Sequence, residues 1–256
     1  MARELKERVN RPAAQVRAAF LDQNDPNGPP PPMAQLVRGG RGGEVKLKIA
    51  LSLLWVAVGE PHDVVAAARA WAMLIGLPDP GGRGAQRVNA AIRQLAKLKL
   101  IKVEAKVGGP PRILLLEDSA SGLPYTLPGQ RIVELKQKGD DFGRHRYFKV
   151  PSELWTQGWI ATLGGPALAM LLILLSRASG RQQEAIWFSP GIADAHYRLS
   201  EETRRRGLDS LRALGLVTVS RRPLTTSLLA APRRRNVYTL REDVLFDTAP
   251  SVKRDV

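Results

Sequence analysis

From residue 44 onward, apolar residues recur at helical spacing. Val45, Ile49, Leu53 and Val56 form one stripe of a segment that stops before Gly59 and Pro61, which predicts a helix over 44–58. Val64 to Ile75 reads as a second helix, closed by Gly76 and the turn residues Pro78, Asp79, Pro80 and Gly81. A third, over 83–98, carries Val88, Ile92, Leu95 and Leu98 on one side. The period then falls to two. Ile101 to Lys106 is a predicted strand, Val107 to Pro111 a tight turn, and Arg112 to Leu116 a second strand.

After a stretch rich in Gly, Ser, Asp and Pro (118–144), the pattern restarts. Tyr147 to Val150 is a short strand, Ser152 opens a helical turn holding Leu154 and Trp155, and Pro166 to Ser176 is the most apolar helix of the chain. Ser189 is placed to cap a short helix begun by Pro190. Ser200 caps the next, with Glu201 and Glu202 in its first turn, where the helix dipole favours carboxylates. That helix runs to Leu214 and Gly215 ends it. A strand over 216–220, a basic loop from Arg221 to Arg235 and a closing strand over 236–240 follow. The two halves repeat: LAKLKLIKV at 95–103 matches LRALGLVTV at 211–219, and the same offset sets Trp71 against Trp187.

Ahead of both lies a different composition. Ala2 to Gln23 could form an amphipathic helix through Leu5, Val9, Val16 and Phe20, broken by Pro12. Pro29 to Pro32 favour an extended segment. Gly39, Gly40, Arg41, Gly42 and Gly43 read as a flexible linker, or as a single-copy RNA-binding box. The expected organisation is therefore a mostly disordered basic arm (1–43), a three-helix unit with a hairpin (44–117), a linker (118–144), a second such unit (145–243) and a tail (244–256). The fold class is α+β, mainly α.

At 256 residues the chain suits one large or two small domains, at ~150 residues each. Lys and Arg total 39 against 24 Asp and Glu, a net charge of +15, which favours polyanionic partners, nucleic acid before anionic membrane. With 0 Cys, disulfides, thiolate metal sites and cysteine nucleophiles are excluded, and His62, His145 and His196 lack metal-ligand spacing. No secretory signal is legible at the start. The apolar run 166–175 is about half the ~20 residues that a spanning helix needs, so a soluble, cytoplasmic, nucleoid-associated protein without membrane contact is expected. No catalytic motif or cofactor fingerprint appears, and the acidic pairs Asp140–Asp141 and Glu201–Glu202 are accounted for by solvation and capping. All 5 Trp sit beside apolar residues, which favours core packing over the stacking platform of a single-strand or RNA binder.

With Val88, Ile92 and Leu95 turned inward, the third helix leaves Gln86, Arg87, Ala90 and Arg93 outward. Arg suits guanine and Gln suits adenine, so Gln86 and Arg87 are candidate base readers, with Arg83 and Arg93 on phosphates. Gly81, Gly82 and Gly84 would let this helix start approach a nucleic-acid backbone. In the second unit Ser200 and Thr203 can cap and reach a phosphate, and Arg204, Arg205 and Arg206 fan outward, although Arg204 falls where an aliphatic residue is commonly buried. Arg221, Arg222, Arg233, Arg234 and Arg235 cluster on the last hairpin, suited to phosphates, a narrow minor groove or an acidic protein. An ordinary solvated basic face would show the same composition.

LSEETRRRGLDSLRALGLVTV (199–219), GLPDPGGRGAQRVNAAIRQLAKLKLIKV (76–103) and YFKVPSELWTQGW (147–159) together resemble tandem winged helix-turn-helix DNA-binding proteins of high-GC bacteria, their plasmids and phages. In architecture the chain is similar to plasmid replication initiators. The resemblance implies sequence-specific binding of double-stranded DNA by two recognition helices in the major groove, in a transcriptional regulator or a replication initiator, without catalysis. It leaves a homodimer open. The alternatives are a protein-interaction adaptor that uses the same fold for assembly, and an RNA binder.

Overall fold

The computed structural model describes residues 1–23, 25–38, 42–178, 186–189, 191–223 and 234–250. In chain order, α1 (Ala2–Val9), β1 (Ala13–Arg17) and α2 (Pro32–Val37) lead into a first lobe. This lobe comprises α3 (Gly43–Val56), β2 (Asp63–Val65), α4 (Ala68–Leu74), α5 (Arg83–Lys97), β3 (Ile101–Glu104) and β4 (Arg112–Leu115). Next come α6 (Pro128–Lys138), β5 (Tyr147–Pro151), α7 (Glu153–Thr156) and α8 (Trp159–Thr162). The second lobe holds α9 (Gly165–Ala178), α10 (Ile192–Tyr197), α11 (Glu201–Ala213), β6 (Val217–Pro223) and β7 (Arg234–Leu240), and α12 (Glu242–Asp247) follows it. The fold is mixed α+β, mostly helical, with small antiparallel sheets. Among the described residues no helix is long and apolar enough to cross a membrane.

The repeated sequence is repeated geometry. In the first copy the Leu98 amide donates to Gln94, Lys99 to Ala96 and Leu100 to Leu95; in the second, Leu214 donates to Ser210, Gly215 to Arg212 and Leu216 to Leu211. Each helix thus closes with one residue in the left-handed region, Lys99 at φ 57° and Gly215 at φ 75°. The next residue, Leu100 or Leu216, drops into the core and starts a strand. A side chain in that conformation costs about 1–2 kcal/mol that glycine does not, so Lys99→Gly is expected to raise the unfolding free energy by about 0.5–1 kcal/mol. Urea denaturation reads this directly, and an unchanged midpoint would assign Lys99 a compensating contact.

The first lobe also gains a third strand, and the second a single isolated bridge. In the first, β2 pairs with β4 and β4 with β3; in the second, Ile186 bridges Tyr238 of β7, which pairs with β6. The expected helix over 64–75 therefore starts later. Val64 and Val65 are β-branched and take the strand, and helix α4 begins at Ala68. The offset that aligned the leucines does not carry to the tryptophans: Trp71 is buried on α4, whereas Trp187 is 42% exposed beside the Ile186 bridge.

The lobes are not separated by a linker. α3 and α9 bury side chains around nearly their whole circumference, as a central helix must. They share one core, in which Trp55 stacks on Trp155 at 4.6 Å and the Trp155 indole donates to Ser52 Oγ at 2.9 Å. Lys48 lies 1% exposed between them, its ammonium held by Glu44 at 2.5 Å and by the Ala161 carbonyl at 3.1 Å. Burial outweighs the carboxylate and holds the Lys48 pKa below its ordinary value.

The expected disordered arm is ordered over most of its length. β1 pairs antiparallel with β5, and Ala14, Val16, Phe20, Leu21, Met33 and Leu36 are buried. Pro32 starts α2 at the position where its missing N–H costs nothing. Arg17 fastens this segment to the supposed linker: its guanidinium donates to Asp118 at 2.6 Å and to the Thr126 carbonyl at 2.8 Å, and Asp118 also accepts the Arg17 amide at 2.7 Å. Within 118–144, α6 is folded and Tyr125 is buried, and burial pushes its phenol well above the ordinary range. The described part of the tail folds too, since α12 buries Leu245 and Trp159 donates to the Thr248 carbonyl at 3.0 Å. α10 has Gly191, not Ser189, at its cap position; Pro190 and the glycine-rich residues 39–41 lie outside the described residues.

Candidate nucleic-acid interface

Helix α5 starts where Asp79 receives the amides of Gly82 at 3.1 Å and Arg83 at 2.7 Å, a side-chain cap that fixes its first turn. Val88, Ala91, Ile92 and Leu95 face the core. The 3.6-residue period then leaves Arg83, Gln86, Arg87, Asn89, Ala90, Arg93, Gln94 and Lys97 in solvent. No acidic residue occurs in this helix. The field of Arg87 reaches the buried Lys48 and helps to disfavour its charge. The glycines before the helix have a local purpose. A Cβ on Gly84 would run into the carbonyls of Pro78 and Asp79, so Gly84 serves the turn itself, and only Gly81 faces open space.

Helix α11 carries one more arginine than α5 but a different balance. Ser200 Oγ accepts the Thr203 amide at 3.2 Å and bonds the Thr203 hydroxyl at 2.9 Å, so both polar groups are occupied at the cap. Arg205 is bound by Glu202 at 3.0 Å and Asp209 at 3.3 Å. Arg204 pairs with Glu201 and lays its guanidinium over the Phe188 ring at 5.8 Å, half-buried at the position where an aliphatic residue was expected. Arg206 is exposed and makes no ion pair among the described residues. Gly207 is buried against Pro166, where a Cβ would strike backbone, so α11 and α9 approach closely at that point.

The hairpins divide the charge the other way. In the first lobe Lys102 pairs with Glu104 at 3.0 Å, and Arg112 with Asp63 and with Glu104 at 3.5 Å, which leaves that hairpin nearly neutral at its strands. In the second, Arg221 and Arg222 on β6 and Arg234 on β7 are exposed, with Arg222 directly opposite Arg235. These residues belong to the strands, so the expected loop from 221 to 235 is shorter at both ends; Arg233 lies outside the described residues. The Arg235 guanidinium sits 4.3 Å above the Trp187 ring. That ring was expected in the core, and its exposure adds an aromatic face to a basic hairpin.

No family model, curated protein or solved structure matches the chain. What the surface can do follows from its own geometry. The structure gathers Arg83, Gln86, Arg87 and Arg93 on one helix face, and Arg221, Arg222, Arg234 and Arg235 on one hairpin; Ser200 and Thr203 bond each other at the cap of α11, and Arg205 pairs with Glu202 and Asp209. Asn89, Gln94 and Lys97 were not among the expected contacts, although their spacing from Gln86 and Arg93 places them on the same exposed face. Trp187 offered one weak signal only, its place in a run of mixed polarity.

Proposed function

We propose that this chain is a sequence-specific double-stranded DNA-binding protein built on two winged helix-turn-helix units. The observation that carries the reading is the outer face of α5, a helix with no acidic residue of its own, where Arg83, Arg87, Arg93 and Lys97 surround the amides Gln86, Asn89 and Gln94, suited to base reading. The helix–strand–helix–helix–hairpin order, with sheet order β2-β4-β3, supports the same reading, because such units lay their third helix in the major groove. α5 is the principal reader, and the hairpin of the second lobe supplies phosphate contacts through Arg221, Arg222 and Arg234. A regulator bound at a promoter and an initiator bound at origin repeats would share this chemistry, and either could act as a homodimer in the nucleoid.

The test is selection of bound duplexes from a random pool, followed by competition with structured RNA. Enrichment of one motif, held against RNA, is the expected result; equal weak retention of every duplex would refute it. If ~6–10 phosphates are contacted, affinity falls ~10³–10⁵-fold between ~50 and ~200 mM salt. A flat titration would point to a protein partner instead. The pairing of Arg204 and Arg205 with their own helix favours a protein-contact role for α11 alone, and on that reading Arg206→Ala leaves DNA affinity intact.

A further inference from the structure

A second cationic feature lies away from both hairpins. The turn after β1, the segment entering β5, the end of α9 and α10 enclose a half-open cleft of about 480 Å³. Its walls are pinned by backbone bonds, Ala18 amide to Arg146 carbonyl and Gln23 amide to His196 carbonyl, each 2.7 Å. Arg144, Arg146, Arg177 and His196 line it, with Asp22 as the one carboxylate among the described residues. Arg177 is oriented by its Nε–H, which donates to the Tyr197 hydroxyl at 2.7 Å and leaves the two terminal nitrogens of its fork available to a ligand. Among the described residues the Arg146 guanidinium forms no hydrogen bond. Burial raises the Asp22 pKa, and the fields of Arg177 and Arg146 are among those that oppose the shift.

We propose that this cleft binds the phosphate group of a small phosphorylated molecule, with Arg146 and Arg177 as its paired donors. Three guanidiniums around one depression exceed what the carboxylate among its described lining residues neutralises, and a cleft dominated by one sign concentrates its counter-ion. The planar guanidinium fork matches phosphate oxygens two at a time, and the volume lies within the range of sites for drug-sized ligands, more than a bare phosphate fills. A mononucleotide has the required size and charge. The site does not depend on α5 or on DNA binding.

Isothermal titration calorimetry of the full chain tests it with pyrophosphate and adenosine 5′-monophosphate as probes. Saturable binding of one equivalent is expected, weakened at least ~10-fold by Arg146→Gln and by Arg177→Gln, charge-assisted bonds being the strong ones. Lys106→Gln, an equal charge change on the exposed turn of the first hairpin, should leave it unaltered. Arg146→Gln is also expected to bind duplex DNA as the parent does. Absence of saturable heat, or an equal loss in Lys106→Gln, overturns the proposal. So does a fall in duplex affinity that matches the loss of probe binding, because the cleft would then hold a backbone phosphate of DNA.

Discussion

Replacing Asp118 by alanine is expected to lower the unfolding free energy by about 3–5 kcal/mol, the cost of stranding a buried charge. The Arg17 side chain is 1% exposed and that of Asp118 2%, so water cannot take the lost partner's place. The carboxylate receives both the guanidinium and the Arg17 amide, and its removal orphans two donors at once. Glu117, 3.6 Å from the same guanidinium, keeps the loss toward the lower end of that range. His145 cannot take the carboxylate's place, because burial and the nearby Arg17 hold its imidazole pKa below the ordinary value. Denaturant unfolding followed by circular dichroism gives the number. The exposed Lys102–Glu104 pair is the control, and Lys102→Ala should unfold with the parent. A loss for Asp118→Ala no larger than the control's would mean that β1 is not anchored through this pair.

The joint substitution Arg83→Ala and Arg87→Ala is expected to weaken specific duplex binding at least ~100-fold, since each base or phosphate contact of this kind is worth ~1–3 kcal/mol. Both side chains are exposed on α5, whose core-facing residues are untouched by the change, so the variant should fold normally. Gel shifts on the selected duplex measure the effect, and the slope of affinity against salt should shrink by about one for each phosphate contact removed. Arg205→Ala provides the contrast. Its guanidinium is held by Glu202 and Asp209, and removing it should change affinity little. Equal losses in the two variants would move the principal reader from α5 to both helices.

How much of this was legible in the sequence depended on the distance over which each element is stabilised. The face of α5 follows from a 3.6-residue period and needs nothing beyond its own helix, so its exposed arginines could be named directly. The leucine junctions at 95–101 and 211–217 were legible for the same reason. The N-terminal segment was not, because β1 has five residues and its partner β5 begins 134 positions after β1 does, at Tyr147. Its proline and charge content resembled a solvated arm, whereas Arg17 needs Asp118, 101 residues away, to be buried at all. The neutralisation of α11 was within reach: Glu201 to Arg204 and Glu202 to Arg205 are both spaced at i,i+3, a pairing that helix geometry favours. Counting arginines without their acidic neighbours overstated that helix.

The stacked indoles of Trp55 and Trp155, set where α3 and α9 share one interior, give the protein the character of a fixed caliper rather than two heads on a string. A caliper tolerates no change of gauge. Lengthening the spacer of a two-part target by about half a helical turn, ~5 base pairs, would rotate its second half to the far side of the duplex. On the proposed DNA-binding reading a tethered pair of heads would follow that rotation, whereas this chain would keep the contacts of α5 and lose those of the second hairpin.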